Sequence, residues 1–197
     1  MITQSVILTS LLTLAAPLLG EQLDSNLRPL LSQEKISSKL KSTAQQITAD
    51  YQGKDLVVVL VMKGALCIGA DLIREIDLPV DLQYVQCSSY GAGGTQRGAL
   101  QIIGIDRLNI QNRDVLVVDD IFDSGSTMQA LVDALGQKEP NSIKTCVLLE
   151  KNAHHTTDLR PDYALFQIED LFVVGYGLDY KEQYRGLPGV FVYEEKR

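Results

Sequence analysis

Two apolar runs constrain this chain more than any other feature: Leu-Val-Val-Val-Leu-Val-Met from Leu56 to Met62, and Val-Leu-Val-Val from Val115 to Val118. Both are continuous, rich in β-branched residues and free of polar alternation, so a strand built from either must be covered on both faces. Thr-Cys-Val-Leu-Leu, from Thr145 to Leu149, has the same character. Helical patterns stand between them. Ala65 to Ile76 follows the first run, and Thr127 to about Leu135 follows the second. Ahead of all three, Ile36, Leu40, Ala44, Ile47 and Tyr51 recur at helical spacing between a candidate cap at Ser32 and a stop at Gly53, which predicts a lead-in helix of about 18 residues. Val80 to Cys87 reads as a further strand, and Leu100 to Ile103 as its return across a glycine-rich tip, Ser88 to Gly98. Buried strands separated by helices imply right-handed βαβ crossovers. The expected fold class is therefore α/β, a mostly parallel twisted sheet with helices on both faces.

Composition narrows what such a fold can do. The 197 residues are 45% hydrophobic and 22% charged, and a compact domain of this size buries roughly 70% of the surface its unfolded chain exposes, without metal or disulfide staples. There is no repeat, low-complexity tract or linker, so residues 26–197 read as a single domain and residues 1–25 as an apolar extension. Within that extension the run from Val6 to Leu19 is too short to span a bilayer, which takes about 20 apolar residues. No Lys or Arg precedes Arg28, so the expectation there is a packed or frayed helix rather than a secretory leader. A net charge of −7 opposes binding to a nucleic-acid backbone or an anionic membrane. Cys67, Cys87 and Cys146 are far apart, without CxxC or Cys/His spacing; they read as small core residues in a reducing compartment, the cytoplasm. His154-His155 reads as exposed loop and a poor metal site.

Ligands of an open α/β sheet bind at the carboxyl ends of its strands, and the residues after Val118 are the most informative. Asp119-Asp120-Ile121-Phe122-Asp123-Ser124-Gly125-Ser126-Thr127 sets small and hydroxyl residues against a helix start, where open N–H groups and the helix dipole favour a phosphate. Asp119 and Asp120 suit the neighbouring hydroxyls of a pentose or the waters of a divalent cation. Asp123, beside that cradle, suits a general base or a stabiliser of developing positive charge. An apolar strand followed by Asp-Asp also occurs in P-loop NTPases, but the chain has no G-x-x-x-x-G-K-[ST]; Gly64 to Gly69 lacks the lysine. Receiver domains carry their acidic pair near the start of a domain of about 120 residues, and too little chain follows Asp119 for that. A helix cap with a surface Asp cluster needs fewer polar residues than this turn holds.

The Asp119–Thr127 segment resembles the phosphoribosyl-pyrophosphate motif of type I phosphoribosyltransferases, and its Asp-Ser-Gly centre resembles the 6-oxopurine branch. Three other strand ends agree. Met62-Lys63-Gly64 is similar to that family's pyrophosphate-binding turn, Ser88-Ser89-Tyr90 to the start of its mobile lid, and Phe172 to Tyr180 with Tyr184-Arg185 to its purine-binding hood. The resemblance runs from about Leu30 to Val192. It implies transfer of a phosphoribosyl group from 5-phosphoribosyl 1-pyrophosphate to hypoxanthine or guanine, with Mg²⁺, on a sheet topped by a hood made from the chain ends.

By position, the resemblance assigns Ser124, Gly125, Ser126 and Thr127 to the 5′-phosphate. It assigns Asp119 and Asp120 to the ribose hydroxyls and Mg²⁺, Asp179 to a second Mg²⁺ near the purine, and Lys63, Gly64 and Arg185 to pyrophosphate. Lys151 would donate to the purine O6, which selects an oxo group over an amino group. Phe172 would stack on the base and the Val173 backbone would read its 2-position. The Met62-Lys63 peptide would be cis. A homodimer or homotetramer is also implied. The pattern departs from the family at Asp119, where many relatives carry Glu, and in a lid without the usual serines. A regulator on the same fold would add a basic nucleic-acid surface, which this chain lacks; adenine- or pyrimidine-specific transfer is opposed by Lys151 and the Phe172–Tyr180 hood.

Overall fold

The computed structural model describes residues 24–89 and 100–195. The expectations for residues 1–23 and for Tyr90 and the rest of the glycine-rich tip lie outside them. Within the described chain the elements run β1 (Leu27–Leu31), α1 (Gln33–Asp50), β2 (Leu56–Met62), α2 (Leu66–Glu75), β3 (Asp81–Ser89), β4 (Leu100–Ile103), a 3-10 turn at Ile105–Arg107, β5 (Asp114–Phe122), α3 (Ser126–Gly136), β6 (Ser142–Lys151), β7 (Tyr163–Ile168), β8 (Val173–Val174) and β9 (Val190–Tyr193).

The main sheet has the order β4-β3-β2-β5-β6-β7. Every neighbouring pair in it is parallel except β3 with β4. Both faces are covered, as the unalternating strands require. Successive side chains of a strand point to opposite faces, so each apolar run divides between two cores. Val58, Leu60, Leu116, Val118 and Leu148 pack with Ile36, Leu40 and Ile47 of α1 and Leu72 of α2. Val57, Val59, Val61, Val115, Val117 and Val147 pack with Met128, Leu131 and Leu135 of α3 and with Leu108 and Ile110. Each of these fully buried aliphatic side chains contributes roughly 1.5–3 kcal/mol from burial.

Local signals set the helices. Ser32 caps α1, its Oγ accepting from the Lys35 N–H at 3.3 Å. At the other end Tyr51 is buried and donates its hydroxyl to Val115 O at 3.1 Å, tying α1 to the sheet. A second, antiparallel sheet, β1-β9-β8, joins both ends of the described chain into a small layer beside the main sheet, which is the expected hood.

Three differences from the sequence reading have physical causes. β5 continues through Asp119 and Asp120 to Phe122 because the longer β6 extends the ladder, pairing Asp119 with Val147 and Phe122 with Glu150. β7 was not anticipated: its Tyr-Ala-Leu-Phe run, Tyr163 to Phe166, is short and carries no β-branched residue, and at the sheet edge it packs Tyr163, Leu165 and Ile168 into the α1-side core. His155 is not free loop: its ring meets Phe122 edge-on at 5.1 Å, and its Nε2 lies 3.0 Å from Lys151 O.

Candidate active site

The carboxyl ends of β2 and β5 open into a cavity of about 570 Å³. Lys63 and Gly64 line it from the turn after β2, Asp119, Asp120 and Asp123 from β5 and the turn beyond, Ser124 to Thr127 from the start of α3, and Asp179 and Arg185 from the segment after β8. The nine residues assigned by sequence to the phosphoribosyl donor, together with Asp123 and Asp179, thus line one cavity. Lys151, Phe172 and Val173 lie outside it.

The cradle before α3 is shaped by Gly125, whose φ of +84° places it in the left-handed region. A Cβ there would also collide with Thr157 and the Phe122 ring, so only glycine fits. α3 has no side-chain cap, which leaves first-turn N–H groups for a ligand. Ser124 Oγ is 3.1 Å from Ser126 Oγ, which is 2.7 Å from Thr156 Oγ1. The Thr156 N–H donates to Ser124 O at 2.9 Å. Thr156 therefore buttresses the cradle from the loop after β6. Sequence reading missed it, because nothing local in residues 152–157 marks the contact.

The acid pair is packed rather than solvated. Asp119 is 8% exposed and its Oδ1 accepts the Asp120 N–H at 2.8 Å. Burial, reinforced by the Asp120 charge, pushes the Asp119 carboxyl well above the usual carboxylate range. Burial raises Asp120 as well, with the Arg185 charge opposing it. Gly64 lies directly under Asp120: a Cβ at Gly64 would overlap the carboxylate. Gly177 (φ +104°) in turn approaches Gly64 O so closely that a Cβ would overlap that oxygen. The turn after β2 is thereby clamped between the acid pair and the hood segment, and the Met62-Lys63 peptide is cis.

Two charged groups hold the remaining edges. Arg185 pairs with Asp179 Oδ1 at 2.8 Å and donates to Gly177 O at 2.7 Å, while its buried Nε has no hydrogen-bond partner among the described residues. Lys151 is only 12% exposed, with Nζ 3.0 Å from Asp170 Oδ1 and 3.6 Å from Asp123 Oδ2. It is a held ammonium beside the candidate base, and Asp170, unanticipated from sequence, fixes it there. Phe172 is 51% exposed; its ring meets Tyr180 edge-on at 5.7 Å and Tyr193 at 6.1 Å. Val173 is buried and paired with Val192. Ser88 and Ser89 end β3 opposite Gln101 and Leu100, and Ser88 Oγ is buried without a partner among the described residues. Cys87 lines the cavity with its thiol pushed up to about 11 by burial, so it remains protonated at neutral pH. Among the described residues no three His, Cys, Asp or Glu side chains form a preassembled metal cage.

A hydroxyl-lined turn at a helix start, an acid pair with Asp119 buried and Asp120 half-buried, and a lysine-bearing turn, all at the carboxyl edge of a doubly covered, mostly parallel sheet, fit a phosphoribosyltransferase. Residues 28–181 match the phosphoribosyl transferase domain, and the chain belongs to that family. It is 39% identical over 167 residues to the hypoxanthine-guanine phosphoribosyltransferase of Streptococcus thermophilus, covering 85% of this chain and 93% of that one. The Aquifex aeolicus protein of the same name is also 39% identical, at 86% and 96% coverage. A solved hypoxanthine phosphoribosyltransferase from Staphylococcus aureus superposes with a TM-score of 0.80 at 36% identity, covering 88% of this chain and 97% of that one. Within the family, therefore, the chain is an enzyme of the hypoxanthine-guanine phosphoribosyltransferase branch, a pentosyltransferase.

Proposed function

We propose that the chain salvages 6-oxopurines. A ring nitrogen of hypoxanthine, or of guanine, attacks C1 of 5-phosphoribosyl 1-pyrophosphate. The C1–O bond to pyrophosphate breaks, a C1–N bond forms, the proton of the attacking base is lost, and the nucleoside 5′-monophosphate and pyrophosphate leave. The observation that carries this reading is the single cavity wall that gathers the cradle, the acid pair and the Lys63/Arg185 cations, with Asp123 and Lys151 at 3.6 Å from each other at its edge.

In this reading Ser124 to Thr127 and the first turn of α3 hold the 5′-phosphate, and Asp119 and Asp120 hold the ribose hydroxyls. Lys63, Gly64 and Arg185 face the pyrophosphate, which suits the unpartnered Arg185 Nε. Lys151 donates to O6, and Phe172 and Val173 hold the base. Asp123, close to C1 and the purine, takes the departing proton or stabilises the positive charge that develops on the ribose. Ser88, Ser89 and Tyr90 begin the lid. The donor set fits Mg²⁺: Asp119, Asp120 and Asp179 offer hard carboxylate oxygens, and two neighbouring carboxylates, one buried and one half-buried, whose charge is disfavoured would gain from a divalent cation. When bound, Mg²⁺ would neutralise charge on the pyrophosphate leaving group. The missing cage is no obstacle, since Mg²⁺ usually keeps several waters and takes few protein ligands.

Self-association as a homodimer or homotetramer, residence in the cytoplasm, and residues 26–197 as one functional domain with 1–25 as an extension belong to the same proposal. Among the described residues no helix is long and apolar enough to cross a membrane.

The test is turnover by the purified chain with hypoxanthine, 5-phosphoribosyl 1-pyrophosphate and Mg²⁺, followed for the wild type and Asp123→Ala. The expected result is nucleotide and pyrophosphate in equal amounts, with kcat reduced by roughly 10²-fold or more in the variant and donor binding changed far less. Equal kcat in the two proteins would remove Asp123 from the reaction.

A further inference from the structure

The segment that closes the cavity on its hood side carries a charge the proposed reaction does not use. Asp179 to Arg185 folds through a two-residue hairpin, in which the Tyr180 N–H donates to Gln183 O at 3.2 Å and the Gln183 N–H to Tyr180 O at 3.0 Å. The loop residues Lys181 and Glu182 have φ of +52° and +65°, the paired left-handed conformations of a type I′ turn that Asn-Gly or Asp-Gly normally supplies. Here a lysine and a glutamate hold them. A backbone kept in a sparsely populated region needs a reason, and the turn aims a carboxylate.

The Glu182 N–H donates to Asp179 Oδ2 at 2.8 Å. From that anchor, Glu182 Oε2 reaches Lys63 Nζ at 2.8 Å and Arg185 Nη2 at 3.4 Å. One carboxylate oxygen between an ammonium and a guanidinium repeats the contact that a pyrophosphate oxygen would make with the same two groups. We propose that Glu182 is an internal competitor for the pyrophosphate subsite: in the ligand-free enzyme its carboxylate engages Lys63 and Arg185, and pyrophosphate, free or carried on the donor, displaces it. The inference rests on the reading of Lys63 and Arg185 as pyrophosphate contacts. The Lys63–Glu182 pair is exposed on both sides, 53% and 65%, so it is weak and exchangeable, as a contact broken in every cycle has to be. A competing carboxylate also limits how tightly the product pyrophosphate is retained, which favours its release.

The experiment is calorimetric titration of the full chain with pyrophosphate in the presence of Mg²⁺, together with the KM for the donor, for wild type, Glu182→Gln, Lys63→Ala and the double variant. Glu182→Gly is added because glycine suits the positive φ and keeps the turn while removing the charge. The expectation is that both Glu182 variants bind pyrophosphate roughly two- to fivefold more tightly and show a lower donor KM. Lys63→Ala should weaken binding, and Glu182→Gln should give a smaller gain on that background than in the wild type. A role confined to holding the turn would give the opposite sign. Unchanged or weaker pyrophosphate binding in Glu182→Gln and Glu182→Gly, with Lys63→Ala still weakening it, overturns the competitor and leaves the subsite reading standing. Pyrophosphate binding that is indifferent to Lys63→Ala removes the subsite reading, and the inference with it.

Discussion

Asp119 shows most clearly how single residues are kept at a cost to the fold. Its carboxyl is raised by burial and by the Asp120 charge. A folded pKa above the unfolded value means that the stabilising contribution is present below the ordinary carboxylate range and is lost as pH rises through the folded value. Keeping this carboxyl buried therefore opposes folding once the pH is above the ordinary carboxylate range. Asp119→Asn keeps an oxygen for the Asp120 N–H and removes the charge. We expect a melting temperature equal to or above that of the wild type at pH 7, with donor KM raised roughly tenfold or more, the loss associated with one charge-assisted hydrogen bond. A lower melting temperature with unchanged KM, in paired thermal and kinetic measurements, would refute this assignment. At this scale the sequence was most legible where chemistry is contiguous. Asp119 to Thr127 could be read directly because strand, acids, cradle and helix start follow one another without a break. Thr156, Asp170 and Glu182 could not, because each acts through a contact to a residue at least nineteen positions away, and the spacing of neighbours carries no trace of it.

Among the elements, the turn after β2 is the joint on which the site depends. Asp120 of β5 sits over Gly64, and Gly177 of the hood segment closes on Gly64 O, so three separate parts of the chain meet where no side chain fits. Gly64→Ala should leave the melting temperature within a few degrees of wild type, because the displaced Asp120 carboxylate can move toward the open cavity. That movement should raise the donor KM at least tenfold by disturbing both the acid pair and the turn after β2; an unaltered KM in steady-state kinetics would show that the close approach has no role. The buried strands, the capped α1 and the β3–β4 hairpin were all legible, because period and continuity are local signals. The strands of the hood are two to five residues long, and β1 pairs with β9 from the opposite end of the described chain while β8 is only two residues long, so their existence was carried by the resemblance and their register by nothing in the sequence. The length of β5 also escaped local reading: Asp119 and Asp120 look like a strand end, and only the pairing with β6 extends the ladder past them.

The whole molecule has two ends with opposite electrostatics. At the amino ends of β2, β3 and β5, away from the cavity, Arg113 donates to Asp55 at 2.7 and 2.8 Å and to Asp81 at 2.5 Å. Hydrogen bonds from Arg113 hold Asp55 and Asp81 below the usual carboxylate range, and the Tyr163 hydroxyl followed by Lys144 does the same for Asp50. These depressed values contribute stability above the ordinary carboxylate value near 4, which is lost as pH falls through the folded values. The acid pair in the cavity has the reverse sign. We expect the melting temperature to fall steeply below about pH 4, and Arg113→Met to lower it by a few degrees at pH 7 while flattening that acid decline; an equally steep decline in the variant, by scanning calorimetry, would contradict the assignment. The same division accommodates a net charge of −7 in a protein proposed to bind a polyanion, because the acids at the cavity would suit Mg²⁺ and ribose hydroxyls while Lys63, Arg185 and the start of α3 would meet the phosphates. Transfer of phosphoribosyl groups to 6-oxopurines in this cavity is checked by initial rates with adenine, hypoxanthine, guanine and xanthine, side by side, at saturating 5-phosphoribosyl 1-pyrophosphate and Mg²⁺. Turnover of hypoxanthine and guanine and none of adenine is expected; no turnover of any 6-oxopurine, or a preference for adenine, would exclude this activity.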